Sequence, residues 1–405
     1  MIIGIPSETK PGEMRVAMVP DNVQAMIEKG AEVFLQTGAG ERAGYSDGEY
    51  EAAGAKLVAD RSQIFDNSRI ILQVQSFGAN IENGDADLGS LRAGLLVIGM
   101  MDPLTNPSVA QVIASSGASA MALELVPRIS RAQSMDVLSS MATLAGYKSV
   151  LMAAAASQRI FPLLMTAAGT LTPARVLVMG AGVAGLQACA TAKRLGAVVE
   201  AYDVRPAAQE QILSVGAKPV ELDLDTGGSE DSGGYAKSQG EEFLARQRDL
   251  MTAVVSEQDV VITTAAVPGA KSPILVTEDM LVAMKPGSVI VDLAAERGGN
   301  CDLTESGKTI VAHDVTIIGP ENIPSTLAYH ASQMYGKNLE TLLDLIIGND
   351  GEIAMDYGDE IVIETLIAHD GEVPHTHIRK LLGLSDHEEI TKSKPAESGS
   401  LQQNH

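Results

Sequence analysis

The chain has 405 residues, more than one ordinary core holds and enough for two α/β domains. Hydrophobic residues make up 45% and charged residues 20%, a globular composition that excludes wholesale disorder. Lys plus Arg is 29 against 52 Asp plus Glu, and the net charge of −23 argues against nucleic acid and against charge-driven docking on anionic lipid. An anionic ligand must therefore be held by local groups: backbone N–H, a helix N-terminus or a few placed arginines. The only cysteines, Cys189 and Cys301, exclude a disulfide scaffold and a cysteine zinc cluster, and fit a reducing cytoplasm.

Met1 to Pro6 has no basic residue before its apolar run, so it reads as a first strand, Ile2–Ile5, and not as a signal peptide. Strand and helix signals then alternate. A helix starts at Asp21-Asn22 and runs through Met26 and Ile27. Strands follow at 32–36, 70–74, 95–98 and 119–124, with Gly-, Asp- and Asn-rich turns between them. This alternation predicts a parallel sheet. From Asp136 to Gln158 the pattern is helical and rich in alanine (Ala142, Ala145, Ala153 to Ala156), which predicts one long helix crossing into a second domain. The best candidate for a membrane span, Ser149 to Ala168, is broken by Ser157-Gln158-Arg159 and Pro162. No stretch reaches the ~18 uncharged apolar residues that a span needs, so no membrane insertion is expected.

Strand signals resume at 176–179, 198–202, 260–263, 289–293 and 316–318. After Pro324 a helix through Leu327, Met334, Leu339 and Leu343 is long enough to return to the first domain. Ile361 to Ala368, a turn at His369-Asp370-Gly371-Glu372, and Val373 read as a terminal hairpin. The expected fold class is α/β: two Rossmann-like doubly wound parallel-sheet domains joined by long helices, with a C-terminal hairpin returning to the first. The first domain takes 1–138 and 325–384, the second 139–324, and a disordered tail takes 385–405.

One motif stands out. Gly180-Ala181-Gly182-Val183-Ala184-Gly185 follows the apolar strand Val176 to Met179 and opens an apolar helix through Leu195; Asp203 lies 23 residues after Gly180, at the end of the next strand. Gly180 allows the tight turn, Gly182 lets the backbone approach a pyrophosphate, and Gly185 lets helix and strand pack closely. Asp203 is placed to accept from a ribose hydroxyl and to repel a 2′-phosphate, which favours NAD(H); Arg205 close by is the residue type that would admit the phosphate. Two further loops stay open between a ligand role and a structural one. In Pro127 to Asp136, Arg128, Gln133 and Asp136 are candidate amide and phosphate contacts, while Ser134 or Asp136 also suits a helix N-cap. Thr226 to Tyr235, with Gly233-Gly234 and one aromatic, is either a lid over a nucleotide or a plain linker. No catalytic acid–base group is evident. His375-Thr376-His377 does not complete a metal site, and none is expected.

These residues resemble the alanine dehydrogenase/transhydrogenase superfamily. Within it, the resemblance is closer to the soluble NAD(H)-binding alpha subunits (domain I) of proton-translocating NAD(P)+ transhydrogenases. It rests on residues 3–22 with Arg15, on Gly180 to Gln187, on Val291-Asp292-Leu293-Ala294 followed by Gly298-Gly299, and above all on Arg128 to Asp136 and Gly233 to Lys237. It implies that Arg128, Gln133, Asp136 and Ser139 serve the nicotinamide. It further implies that Gly180, Gly182, Val183, Ala184, Gly185, Asp203, Val204, Arg205, Gly234, Tyr235 and Ala266 bind the cofactor, NAD(H). NADP(H) would then sit on a partner subunit, hydride would pass directly between the two, and membrane-spanning subunits would couple the transfer to proton movement. Such a transfer needs no protein acid or base. A homodimer, peripheral on the inner membrane through its partners, is implied too. The alternatives are an alanine dehydrogenase-like oxidoreductase and a non-catalytic NAD-sensing subunit. Alanine dehydrogenases carry a lysine near residue 75 and a histidine near residue 98, where this chain has Gln73-Val74-Gln75 and Val97-Ile98-Gly99-Met100, so the keto-acid chemistry lacks its carriers.

Overall fold

The computed structural model of the chain describes residues 1–222, 241–266, 269–348 and 351–385. The expected tail beyond Ser385, and the Thr226 to Tyr235 loop with Gly234 and Tyr235, lie outside these residues.

Two seven-stranded sheets carry the fold. In the first, the order across the sheet is Leu366–Ala368, Ser119–Ala122, Leu96–Met100, Ile70–Gln75, Ile2–Ile5, Glu32–Gln36 and Lys56–Val58, and only Leu366–Ala368 is antiparallel to its neighbour. In the second it is Lys218–Pro219, Val198–Tyr202, Arg175–Met179, Val260–Thr263, Val289–Asp292, Val315–Gly319 and Lys308–Ala312; here only Lys308–Ala312 is antiparallel. Both are doubly wound: the chain works outward from one strand to an edge, then returns to that strand's other side. This leaves a switch point beside Ile2–Ile5 in the first sheet and beside Arg175–Met179 in the second. The strands are apolar runs because helices cover both faces.

Helix Val137–Ala156 joins the two bodies. Val137 and Met141 belong to the first core, Val150 and Ala153 to the second. It is the one described helix long and apolar enough to cross a membrane by length and composition, and here its apolar residues are shared between two protein cores. Gly146 lets it touch helix Val183–Arg194: a Cβ there would stand 2.0 Å from the Ala184 carbonyl oxygen. Helix Ala328–Ile346 returns to the first body and buries Tyr335, Leu339, Leu342, Leu343 and Ile346 in its core.

The C-terminal return lies on the first sheet, but its form differs from the continuous strand expected from Ile361. Glu360–Thr365 is a short helix capped by Asp359, strand Leu366–Ala368 follows, and one antiparallel bridge between His369 and Glu372 closes the turn. The run Ile361 to Ala368 is apolar at most positions, a pattern that fits a buried strand and a buried helix equally; the Asp359 cap decides for helix at its start. The antiparallel pair Leu164–Thr166 and Gly169–Leu171 has no clear signal in the sequence.

Candidate functional site

In a doubly wound sheet the crevice at the switch point is where a ligand is held. In the first sheet that crevice is filled by the chain itself. The Glu8 carboxylate accepts from the Val74 N–H at 2.6 Å and the Gln75 N–H at 3.0 Å, and the Tyr335 hydroxyl donates to the Gln73 carbonyl at 2.8 Å. Beside it the fully buried Arg15 makes a two-pronged pair with Glu13 at 2.7 and 2.6 Å. Burial, reinforced by Glu13, pushes the Glu8 carboxyl up to about 7, while Arg15 holds Glu13 down to about 2 against its own burial.

Among the described residues, the second sheet leaves its crevice open. Gly180 ends strand Arg175–Met179 at φ 100°, a left-handed conformation that favours glycine. Gly185 sits so close to the turn that a Cβ would stand 1.8 Å from the Gly180 carbonyl oxygen, so strand and helix could not pack with any larger residue. Gly182 is the opposite case. It is exposed, and a Cβ there would meet no atom within 4 Å, so no described residue occupies the room in front of its backbone. Helix Val183–Arg194 begins with no side-chain cap, leaving its first N–H groups for an anion. This is the fit that a pyrophosphate requires.

Asp203 is engaged more fully than sequence reasoning suggests. One oxygen accepts from the Ala181 N–H at 2.7 Å and from Arg205 Nη2 at 2.9 Å; the other accepts from the Arg205 N–H and Nε, both at 2.9 Å. The carboxylate thus ties the glycine turn to the end of strand Val198–Tyr202 and neutralises Arg205, the group that would otherwise welcome a phosphate. Val204 lies between the two, half-buried.

The loop of the first body that carries Arg128 and Gln133 leads into helix Val137–Ala156. Gln133 and Arg128 are both exposed at the surface of this body. Arg131, for which the sequence suggests no separate role, is the anchor: it makes a bidentate pair with Asp359, 2.8 Å in both contacts, and Asn338 Nδ2 donates to the Ser134 carbonyl at 2.7 Å. Asp136 is the N-cap, accepting from the Ser139 N–H at 2.9 Å and from the Ser139 hydroxyl at 2.5 Å. From Asp136 to Gly146, where the helix touches the glycine-motif helix, is about 15 Å along the axis. One rigid element therefore spaces the two candidate halves.

Two residues that the sequence does not single out as site residues organise the remaining wall. Asp292, fully buried, accepts from the Ala294, Asn300 and Cys301 N–H groups and from the Thr263 and Thr304 hydroxyls. Asn300, wrapped around it, bonds both main-chain groups of Ala265, donating to its oxygen at 2.8 Å and accepting from its N–H at 3.0 Å. Ala266 follows directly and is exposed. An aspartate ending an apolar strand before a Gly-Gly pair is the signal that could have found them. Among the described residues no cluster of three or more His, Cys, Asp or Glu suits a metal ion.

Comparison with known proteins gives this geometry its relatives. Residues 4–145 match the family described as "Alanine dehydrogenase/PNT, N-terminal domain" and residues 149–376 the one described as "Alanine dehydrogenase/PNT, C-terminal domain". An NAD(P) transhydrogenase alpha subunit of Rhodospirillum rubrum is 45% identical over 93% of this chain and 98% of its own length. NAD(P) transhydrogenase subunit alpha of Cereibacter sphaeroides is 43% identical over 92% of this chain and 71% of its own length. The crystal structure of transhydrogenase from Sinorhizobium meliloti superposes with a TM-score of 0.79 at 41% identity, covering 93% of this chain and 100% of that one.

Proposed function

The chain belongs to the alanine dehydrogenase/PNT family, and on that premise we propose that it is the NAD(H)-binding alpha subunit of a proton-translocating transhydrogenase. The observation that carries the proposal is the open glycine turn at the second sheet's switch point, with its uncapped helix start and its Asp203–Arg205 pair. NAD(H), when bound, supplies or accepts the hydride. The helix N-terminus and the Gly180, Gly182, Val183, Ala184 and Gly185 backbone hold the pyrophosphate. Asp203 faces the adenosine side with Arg205 already paired, which disfavours a 2′-phosphate. Arg128, Gln133, Asp136 and Ser139 orient the nicotinamide from the first body, and Ala266 lines the opposite side. Gly234 and Tyr235, outside the described residues, complete the proposed cofactor contacts.

Residues 1–138 with 325–384 form the supporting body in this reading, and 139–324 the nucleotide-binding one. NADP(H) is held on a partner subunit, hydride passes directly between the nicotinamides, and membrane-spanning partners couple this to proton movement. The chain acts as a homodimer on the inner membrane through those partners. An alanine dehydrogenase reading lacks support, because Gln75 and Ile98 offer no group to bind and protonate a keto acid.

The test is reconstitution. The chain is mixed with membranes stripped of soluble subunits, NADPH and an NAD+ analogue whose reduced form absorbs at a shifted wavelength. Reduction only when chain and membranes are both present is the expected result. Tight NADH binding without reduction would replace this function with a sensing one. Alanine formation from pyruvate, ammonium and NADH by the chain alone would replace it with alanine dehydrogenase activity.

A further inference from the structure

The two bodies touch through a second connection besides the long helices. Arg297, at the end of a single turn Ala295–Arg297 in the second body, reaches across to the first. Its guanidinium donates to Asp102 Oδ1 at 2.7 Å and to the Thr105 hydroxyl at 2.6 Å. Leu104 lies between these partners, and Gly269 faces it so closely that a Cβ would stand 3.0 Å from the Leu104 Cβ.

Each end of this ion pair is built into one half of the candidate site. On the second body, Arg297 belongs to the loop wound around Asp292, and three residues on, Asn300 grips both main-chain groups of Ala265, next to Ala266. On the first body, Asp102 is held at φ 50° in the left-handed region, where aspartate and asparagine are better tolerated than most residues. Its N–H and that of Met101 both donate to Glu124 Oε1. Glu124 sits in the turn Leu123–Leu125, which leads through Pro127 directly into Arg128. The route Ala266, Asn300, Arg297, Asp102, Glu124, Arg128 is thus one run of hydrogen bonds and short chain segments.

We propose that Arg297 is a positioning residue: its pair with Asp102 and Thr105 sets the separation of the two bodies, and with it the facing of the 128–136 loop and the Ala265-Ala266 backbone toward a nicotinamide. The assignment to a nicotinamide rests on the function proposed above; the mechanical role does not. The pyrophosphate end of the site lies within one body and is outside the latch's control. Affinity for NADH therefore depends little on Arg297, while the rate of transfer depends on it more.

The experiment uses the full chain, with spin labels on Glu82→Cys and Glu210→Cys, one exposed site on each body; the native Cys189 and Cys301 are buried and do not label. The distance distribution is measured without partners in the parent and in Arg297→Gln, Asp102→Asn and the double variant. The pair is part-exposed, so the expected shift in the population of the separation that the pair holds is about fivefold at most. Arg297→Gln, which also loses the Thr105 bond, should shift at least as far as Asp102→Asn, and the double variant should shift no further than Arg297→Gln, because the Asp102 bond is common to both. Melting temperatures and NADH affinity should stay near parental, with Arg297→Lys intermediate. In the reconstituted system the single variants should lower kcat for transfer by about the same fivefold. An unchanged distance distribution in both Arg297→Gln and Asp102→Asn, or shifts that add in the double variant, would overturn the proposal. Because the distance readout needs no partner subunit, variants that shift as expected in a chain that supports no transfer would defeat the functional reading alone and leave the latch standing.

Discussion

At the residue scale, the three glycines of the motif do different work, and the structure separates them. A Cβ at Gly185 collides with the Gly180 carbonyl, whereas one at Gly182 enters open space. Gly185→Ala should therefore lose stability, by about 1–3 kcal/mol as overpacked sites do, visible as a lower melting temperature. Gly182→Ala should melt within a degree or two of the parent and yet bind NADH at least tenfold more weakly, about 1.4 kcal/mol, by calorimetric titration. Equal effects on both properties at both sites would contradict the assignment. Asp203 allows a second discrimination. Asparagine at 203 loosens its two-pronged hold on Arg205, so Asp203→Asn should narrow the preference for NADH over NADPH several-fold in competitive binding. Asp136 is the case in which an observed capping role and the proposed cofactor role coincide. Asparagine caps a helix as well as aspartate does, so Asp136→Asn should leave the melting temperature alone; a fall in transfer rate would then report cofactor contact, not capping.

At the element scale, helix Val137–Ala156 sets the spacing between the candidate halves. Its contact with helix Val183–Arg194 depends on Gly146, where a side chain would press on the Ala184 carbonyl. Gly146→Ala is expected to cost about 1–3 kcal/mol and to weaken NADH binding through the displaced glycine turn, although residue 146 contacts no proposed ligand. Alternation of apolar strands with helices, and the small-residue run after Asp136, make both sheets and this helix legible in the sequence. So is the glycine turn, because Gly180 and Gly185 answer local conformational and steric demands and Gly182 completes the spacing. The anchors are not legible. Arg131 finds Asp359 across 228 residues, Asn300 finds Ala265 across 35, and Arg297 finds Asp102 across 195. No local pattern marks one arginine among its neighbours as the one that meets a distant carboxylate; only the packed fold brings them together. The strand Leu366–Ala368 is shorter than its apolar run suggests for a related reason: a mostly apolar run has no period to read, and a single capping hydrogen bond determines where helix gives way to strand.

At the scale of the whole molecule, the two sheets are alike in topology and opposite in use. One switch point is closed by Glu8 and Tyr335, and the other is left open by the described residues. The closure has a titration signature. Burial raises the folded-state pKa of Glu8 and Glu124 from 4.5 to about 7, so the native state holds these protons more tightly than the unfolded chain. Stability is then highest below about pH 4.5 on their account and falls as pH rises through 7, by on the order of 3 kcal/mol each. Glu13 works in the other direction: lowered to about 2, it stabilises above pH 4.5 and loses that contribution as pH falls toward 2. Glu8→Gln should accordingly gain in melting temperature relative to the parent as pH is raised from 5 to 8, and a difference that stays constant across that range would contradict the buried-acid account. In the proposed function this chain presents a nicotinamide for direct hydride transfer to or from a second nicotinamide on a partner. The measurement that tests it most directly is isotopic: the reconstituted complex is supplied with NADPH deuterated at the transferred position of C4 and an NAD+ analogue, in ordinary water, and the reduced analogue is examined by mass spectrometry. The account predicts deuterium in the reduced analogue with none lost to solvent. Reduced analogue carrying solvent hydrogen instead would show that hydride does not pass directly between the two cofactors.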